Sequence, residues 1–120
     1  MKVLDETRAV ALEALCELIV PGSARVGPVV YIDAVLARMP PPVQEIALGS
    51  IDALTPPTAE TLAENERTPA FAFVRALAIE AFYSDFVEPG RDVEGAWAEI
   101  GFDPPAARRL RKDWSYLGVA

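Results

Sequence analysis

Paired carboxylates are the first side chains in this sequence that could do chemistry. Glu13 with Glu17, Glu60 with Glu64, and Asp92 with Glu94 stand two or four residues apart. A carboxyl pair can perform acid–base work when one member is desolvated and keeps its proton. All three pairs lie among polar neighbours, which points to solvated faces instead. The chain holds no histidine, so it lacks the commonest general base and metal ligand, and with them Ser-His-Asp and Cys-His nucleophile activation. Two-metal helical bundles use Glu-x-x-His on facing helices, and that arrangement falls with it. The single cysteine, Cys16, excludes an intrachain disulfide, a zinc site of several cysteines, a cysteine-held iron–sulfur cluster and CxxCH haem attachment. On an apolar helical stripe it is expected as a small buried hydrophobe. Neither GxGxxG nor GxxxxGK[ST] occurs, so no backbone cradle for a nucleotide phosphate is legible. A small enzyme working through carboxylates alone is the enzymatic reading that remains.

Side chains suited to binding are better represented. Trp114, Ser115, Tyr116 and Leu117 follow a basic stretch with Arg108, Arg109, Arg111 and Lys112, and Trp97, Ile100 and Phe102 form a second aromatic group. Tryptophan, tyrosine and arginine are the residues most enriched at binding hot spots. The net charge of −7 argues against a nucleic-acid backbone as the main partner. It is unevenly spread: residues 1–103 carry a net −10 and residues 108–120 a net +3. Two readings of the tail stay open, with Trp114 folding back on the domain's own core or serving a partner.

The elements that must position these groups are helices. At 120 residues and 52% hydrophobic content, the chain suits a single domain with one core. Prolines at 21, 28, 40–42, 56–57, 69, 89 and 104–105 punctuate apolar-periodic stretches. Leu12, Leu15, Cys16 and Ile19 share one stripe of a helix over Asp5 to Val20, ended by Pro21 and Gly22. A second helix starts near Pro28 and turns Val29, Ile32, Val35, Leu36 and Met39 inward. After three prolines, Val43, Ile46, Ala47, Ser50, Ile51 and Leu54 repeat the spacing, with Gly49 weakening the helix. Thr58 to Arg67 predicts a short, mostly exposed helix. Thr68 and Pro69 cap and open the most apolar stretch, in which only Arg75 and Glu80 interrupt Phe71 to Tyr83. Beyond a loop, Ala96 to Ile100 predicts one turn and Asp103 to Lys112 a short helix. The fold expected is all-α: a compact irregular bundle of six or seven short helices around one long apolar helix at about residues 69–87. It forms a single domain over 1–120, with a basic aromatic tail at about 106–120.

Three runs in order then carry a family resemblance. Phe82-Tyr83-Ser84-Asp85, Gly90-Arg91-Asp92, and Gly95, Trp97, Ile100-Gly101-Phe102 resemble the signature stretch of the gluconate 2-dehydrogenase subunit 3 family. This is the small gamma subunit of membrane-associated sugar and sugar-acid dehydrogenases. Leu15 to Gly22 (LCELIVPG) and Val30 to Leu36 (VYIDAVL) are similar to that family's opening helix, its Ile-Pro-Gly-like stop and the following Phe-Ile-Asp helix. The resemblance covers roughly residues 8–105. Phe86 to Gly90 reads FVEPG where the family often has a Pro-x-Tyr-Gly-Gly-Asn-like loop, and Ala96 separates Gly95 from Trp97.

The resemblance implies a non-catalytic subunit that binds and stabilises a large FAD-dependent oxidoreductase of the glucose-methanol-choline class, acting on a sugar, sugar acid or related alcohol. The FAD and the catalytic histidine would belong to that partner, leaving no cofactor, metal or catalytic residue on this chain. The residues expected to meet the partner are Tyr83, Phe86, Arg91, Trp97, Ile100, Phe102, Arg108, Arg111, Trp114 and Tyr116. The alternative is a stand-alone helical protein-binding or regulatory module that self-associates. No apolar run reaches the roughly 18–20 residues of a membrane helix, and Met1-Lys2 leads into an amphipathic segment without the apolar stretch of a secretory signal. The expected location is cytoplasmic, or periplasmic if a leader on the partner exports both.

Overall fold

Helix boundaries follow from prolines and capping side chains. In the computed structural model, which describes residues 1–84, the order is α1 (Glu6–Ile19), a 3-10 turn (Ser23–Val26), α2 (Pro28–Ala37), α3 (Pro41–Ala53), α4 (Ala59–Asn65) and α5 (Pro69–Tyr83). The described residues contain no strand. Asp5 caps α1 by accepting from the Arg8 amide at 2.8 Å. Thr58 and Thr68 cap α4 and α5 by accepting from Thr61 and Phe71, each at 3.2 Å. Each bond satisfies an amide that the first turn leaves without a helical acceptor. Pro28, Pro41 and Pro69 occupy first-turn positions, where the missing N–H costs nothing.

The connection from α1 to α2 needs two left-handed residues, Gly22 at φ +88° and Gly27 at φ +70°, which bracket the 3-10 turn. Glu17, one turn back in α1, holds this reversal by accepting from the amides of Gly22 at 2.6 Å and Ala24 at 3.1 Å. Ser23 donates its hydroxyl to the Cys16 carbonyl at 2.9 Å, so this buried polar group is satisfied.

Leu12, Leu15, Cys16, Ile32, Leu36, Ile51, Leu54 and Val74 make the centre of the core, drawn from α1, α2, α3 with its C-cap, and α5. The α1 stripe lies where its spacing places it, with Ile19 half-buried at its end. Helix α4 contributes no fully buried residue, in keeping with its polar sequence.

The expected arrangement around a long apolar helix is corrected. Among the described residues there are five α-helices and one 3-10 turn, and the further turn and helix expected beyond residue 95 lie outside them. Helix α5 stops at Tyr83, with Ser84 as C-cap, short of residue 87. It packs chiefly against α3 and α2 and also touches α1 and α4, without being enclosed by them. Val74, Ala78, Ala81 and Phe82 are buried, whereas Ala72, Arg75, Ala76, Glu80 and Tyr83 face solvent. Alanine has little surface to bury, so exposing it costs little, and an alanine-rich sequence overstates how far a helix is surrounded. The enclosed helix is α2, in which seven of ten residues are buried.

Two further inward assignments are corrected. Met39 lies beyond the end of α2 and is exposed, and Ile46 is 55% exposed on α3. Ile46 sits at the edge of its stripe, past the strip formed by Ala47, Ser50 and Ile51 that the neighbouring helices cover.

Candidate functional site

The end of α5 brings together the aromatic residues of the first signature run and the 3-10 turn. Phe82 is buried against Val26, with Val20 half-buried beside them. The Arg25 guanidinium lies over the Phe82 ring, 5.6 Å from its centroid, within the range of a cation–π contact. Tyr83 meets Phe82 edge-on, with ring centroids 5.2 Å apart and planes at 83°, a favoured aromatic geometry. One turn back, Tyr31 of α2 donates its hydroxyl to Glu80 Oε1 at 3.2 Å. The Ser84 hydroxyl donates to the Ala81 carbonyl at 3.0 Å and closes the helix end. Phe82 is thus the root of the feature and Tyr83, 50% exposed, its outer face. A half-exposed aromatic seated edge-on against a buried one suits recognition of another surface, because its side chain has few rotatable bonds to immobilise when it is covered.

The order of the chain explains this placement. The stop at Pro21-Gly22 and the Glu17 cap turn the backbone so that Val26 reaches Phe82, which lies eight residues, about two turns, beyond Val74 on the same buried face of α5.

Of the residues expected at a partner interface, Tyr83 is described and exposed. Phe86, Arg91, Trp97, Ile100, Phe102, Arg108, Arg111, Trp114 and Tyr116 lie outside the described residues, as do Asp92 and Glu94. Glu13 is exposed, Glu17 serves as the cap of the 3-10 turn, and Glu60 and Glu64 are exposed on α4. Among the described residues, no three His, Cys, Asp or Glu side chains gather as a metal site. Burial pushes the Cys16 thiol up to about 12, with the charges of Glu13 and Glu17 adding to the effect. A thiol so placed is a packing group at neutral pH, since the thiolate is the reactive species. No helix of the described residues is long and apolar enough to cross a membrane.

Two arrangements had no assigned role in the sequence. Asp33, in the apolar run of α2, is 5% exposed and binds the start of the chain: Oδ2 accepts from the Lys2 amide at 2.8 Å, and Oδ1 from the amides of Val3 at 2.9 Å and Leu4 at 2.8 Å. An acid isolated in VVYIDAVL was the available signal, since a carboxylate in such a run needs buried donors. The other is Arg8, whose Nε and Nη2 reach both carboxylate oxygens of Asp52 at 3.0 and 2.8 Å while Nη1 binds Asp5 at 2.9 Å. It ties α1 to α3 across 44 residues of sequence, a separation that gives no local signal. Compared with known proteins, the chain matches no family model, no curated protein and no solved structure.

Proposed function

We propose that this chain is a non-catalytic small subunit that binds and stabilises a large FAD-dependent oxidoreductase of the glucose-methanol-choline class, whose substrate is a sugar, sugar acid or related alcohol. The reading rests on the ordered motif series from Leu15 to Phe102. The observation that carries it is the exposed ring of Tyr83, seated on buried Phe82 at the point where the first signature run begins. Tyr83 and Trp97 are the aromatic anchors of this interface, and Arg91 lies between them in sequence. The flavin and the catalytic base belong to the partner. The small subunit acts by mass action: binding only the folded partner adds about 2.7 kcal/mol of stability at a concentration one hundred times the dissociation constant.

Co-expression with a flavoprotein oxidoreductase of the glucose-methanol-choline class, followed by size exclusion at micromolar concentration, tests the proposal. Co-elution, with a raised melting temperature for the flavoprotein, is the expected result. Separate migration of the two proteins overturns it, and a stable homo-oligomer indifferent to the flavoprotein points to the stand-alone helical module.

A further inference from the structure

The outward face of α5 carries a heptad-spaced apolar seam. Ala72, Ala76, Ile79 and Tyr83 stand four, three and four residues apart, the spacing of the a and d positions along which two helices pair. Ala72, Ala76 and Tyr83 are exposed and Ile79 is half-buried, while Val74, Ala78, Ala81 and Phe82 turn the other side of the helix into the bundle. Arg75 and Glu80, both exposed, flank the seam on its two sides. With Ala76 at a, Arg75 is a g position and Glu80 the e position five residues later. Among the described residues neither takes part in an ion pair. Tyr31 orients Glu80 by donating to Oε1 at 3.2 Å, and the second carboxylate oxygen can accept from another donor.

We propose that this seam pairs with the same seam of a second copy of the chain, the two α5 helices running parallel about a two-fold axis. Charge selects both the occupant and the direction. In a parallel pair each g residue meets the partner's e residue five positions on, so Arg75 of each copy meets the partner's Glu80, and the symmetry forms both ion pairs at once. An antiparallel pair sets Arg75 against Arg75 and Glu80 against Glu80, which repel. The two alanines let the helix axes approach closely. Area sets the strength: α5 has 15 residues and is about 22 Å long, and one pair of such helices buries less than the roughly 1,200 Å² of a stable interface. The dimer is therefore weak, with a dissociation constant on the order of 100 μM. Tyr83 belongs to this seam, so a flavoprotein that covers Tyr83 displaces the second copy. The pairing of the chain alone does not rest on the flavoprotein reading.

Sedimentation velocity of the full chain alone, from about 10 μM to about 1 mM so as to bracket that constant, is the test. Monomer is expected at the low end and dimer at the high end. Arg75→Glu and Glu80→Arg, each alone, set like charges face to face at both flanks and should weaken the dimer about tenfold. Mixed in equal amounts, the two variants should form a heterodimer at least as tight as the wild-type dimer, because opposite charges then meet at both flanks; a folding defect in either variant does not imitate this rescue. Residue 72 faces its own copy only in the parallel register, so Ala72→Cys should give a disulfide-linked dimer on mild oxidation, with Cys16 buried and out of reach. A chain that stays monomeric over the whole range, a dimer indifferent to Arg75→Glu, variants that do not pair on mixing, or no link through Ala72→Cys each overturn the proposal.

Discussion

Asp33 Oδ1 lies 2.8 Å from the amide nitrogen of Leu4, 29 positions away along the chain. The same carboxylate takes the amides of Lys2 and Val3, so one side chain of the enclosed helix straps the N-terminal segment and seats Leu4 in the core, where it is 5% exposed. Hydrogen bonds to a charged acceptor contribute about 1.5–3 kcal/mol each, and losing the acceptor strands buried donors. Fraying of the strap offsets part of that loss. Asp33→Ala should lower the unfolding free energy by about 2–3 kcal/mol in denaturant titration. Hydrogen exchange at Val3 and Leu4 should accelerate more than exchange in α5; equal acceleration throughout would show that Asp33 does not act through the strap.

Arg8 and Asp52 are paired in the open, and their linkage should respond to pH and salt. The hydrogen bond from Arg8 is the main cause that holds the Asp52 carboxyl below its ordinary range, with Coulomb attraction adding to it. A carboxylate with a depressed native pKa contributes stability that is present above its unfolded pKa, near 3.9, and is lost as pH falls through the lower native value. Both side chains are substantially exposed, so the contribution is small and screened. In a double-mutant cycle of Arg8→Ala and Asp52→Ala, coupling in melting temperature should be measurable at pH 6 in low salt. It should shrink in 1 M salt and vanish in acid well below pH 4. Coupling unchanged by either treatment would rule out an ion pair as its source.

These two contacts also mark how far the sequence could be read. Local information was enough for the helix starts: Asp5, Thr58 and Thr68 act within three residues of the amides they cap, and the prolines act on their own turns, whereas the ends of α2 and α5 fall short of the stretches expected. The α1 stripe was legible for the same reason, because Leu12, Leu15 and Cys16 need only the helical period to lie together. Which helix is enclosed was not legible. It depends on neighbours distant in sequence, and alanines in α5 count as apolar in a composition while contributing little surface. The strap from Asp33 and the Arg8 bridge were hidden likewise, each spanning about 30 residues or more. Of the candidate site, aromatic type and order could be read, while the seating of Phe82 under Arg25 required the reversal at Gly22 and Gly27.

Cys16 supplies a second pH dependence, at the alkaline end. Its native thiol is pushed from the ordinary value of 9.0 to about 12, chiefly by burial. The unfolded chain therefore releases this proton first, and stability falls as pH rises between those values. The wild-type chain should lose stability more steeply above pH 9 than Cys16→Ala, and native Cys16 should react with a disulfide reagent at pH 8 only as fast as the core opens. Rapid labelling of the native protein would contradict a buried, protonated thiol.

Gly49 sits within α3 facing solvent, and a Cβ built there meets nothing within 4 Å. Alanine should fit without strain and reduce the entropy of the unfolded chain. Gly49→Ala is expected to stabilise the protein by about 0.5–1 kcal/mol, read as a higher denaturation midpoint with an unchanged slope. A loss of stability would show that something packs against this face in solution.

Phe82 and Tyr83 are neighbours with opposite environments, and they separate folding from recognition. Phe82 is 4% exposed, joins the 3-10 turn to α5, and carries Arg25 over its ring. Phe82→Ala should cost about 3 kcal/mol of stability. Tyr83 keeps half its surface in solvent, so Tyr83→Ala should change stability by less than about 1 kcal/mol. If the exposed ring anchors the flavoprotein subunit, the same variant should weaken the complex about tenfold or more, the effect of losing an aromatic hot spot, and Trp97→Ala should do likewise. Binding measured by calorimetry beside thermal melts decides the matter. A Tyr83→Ala chain that melts as the wild type and still binds the oxidoreductase with full affinity would remove the end of α5 from the interface.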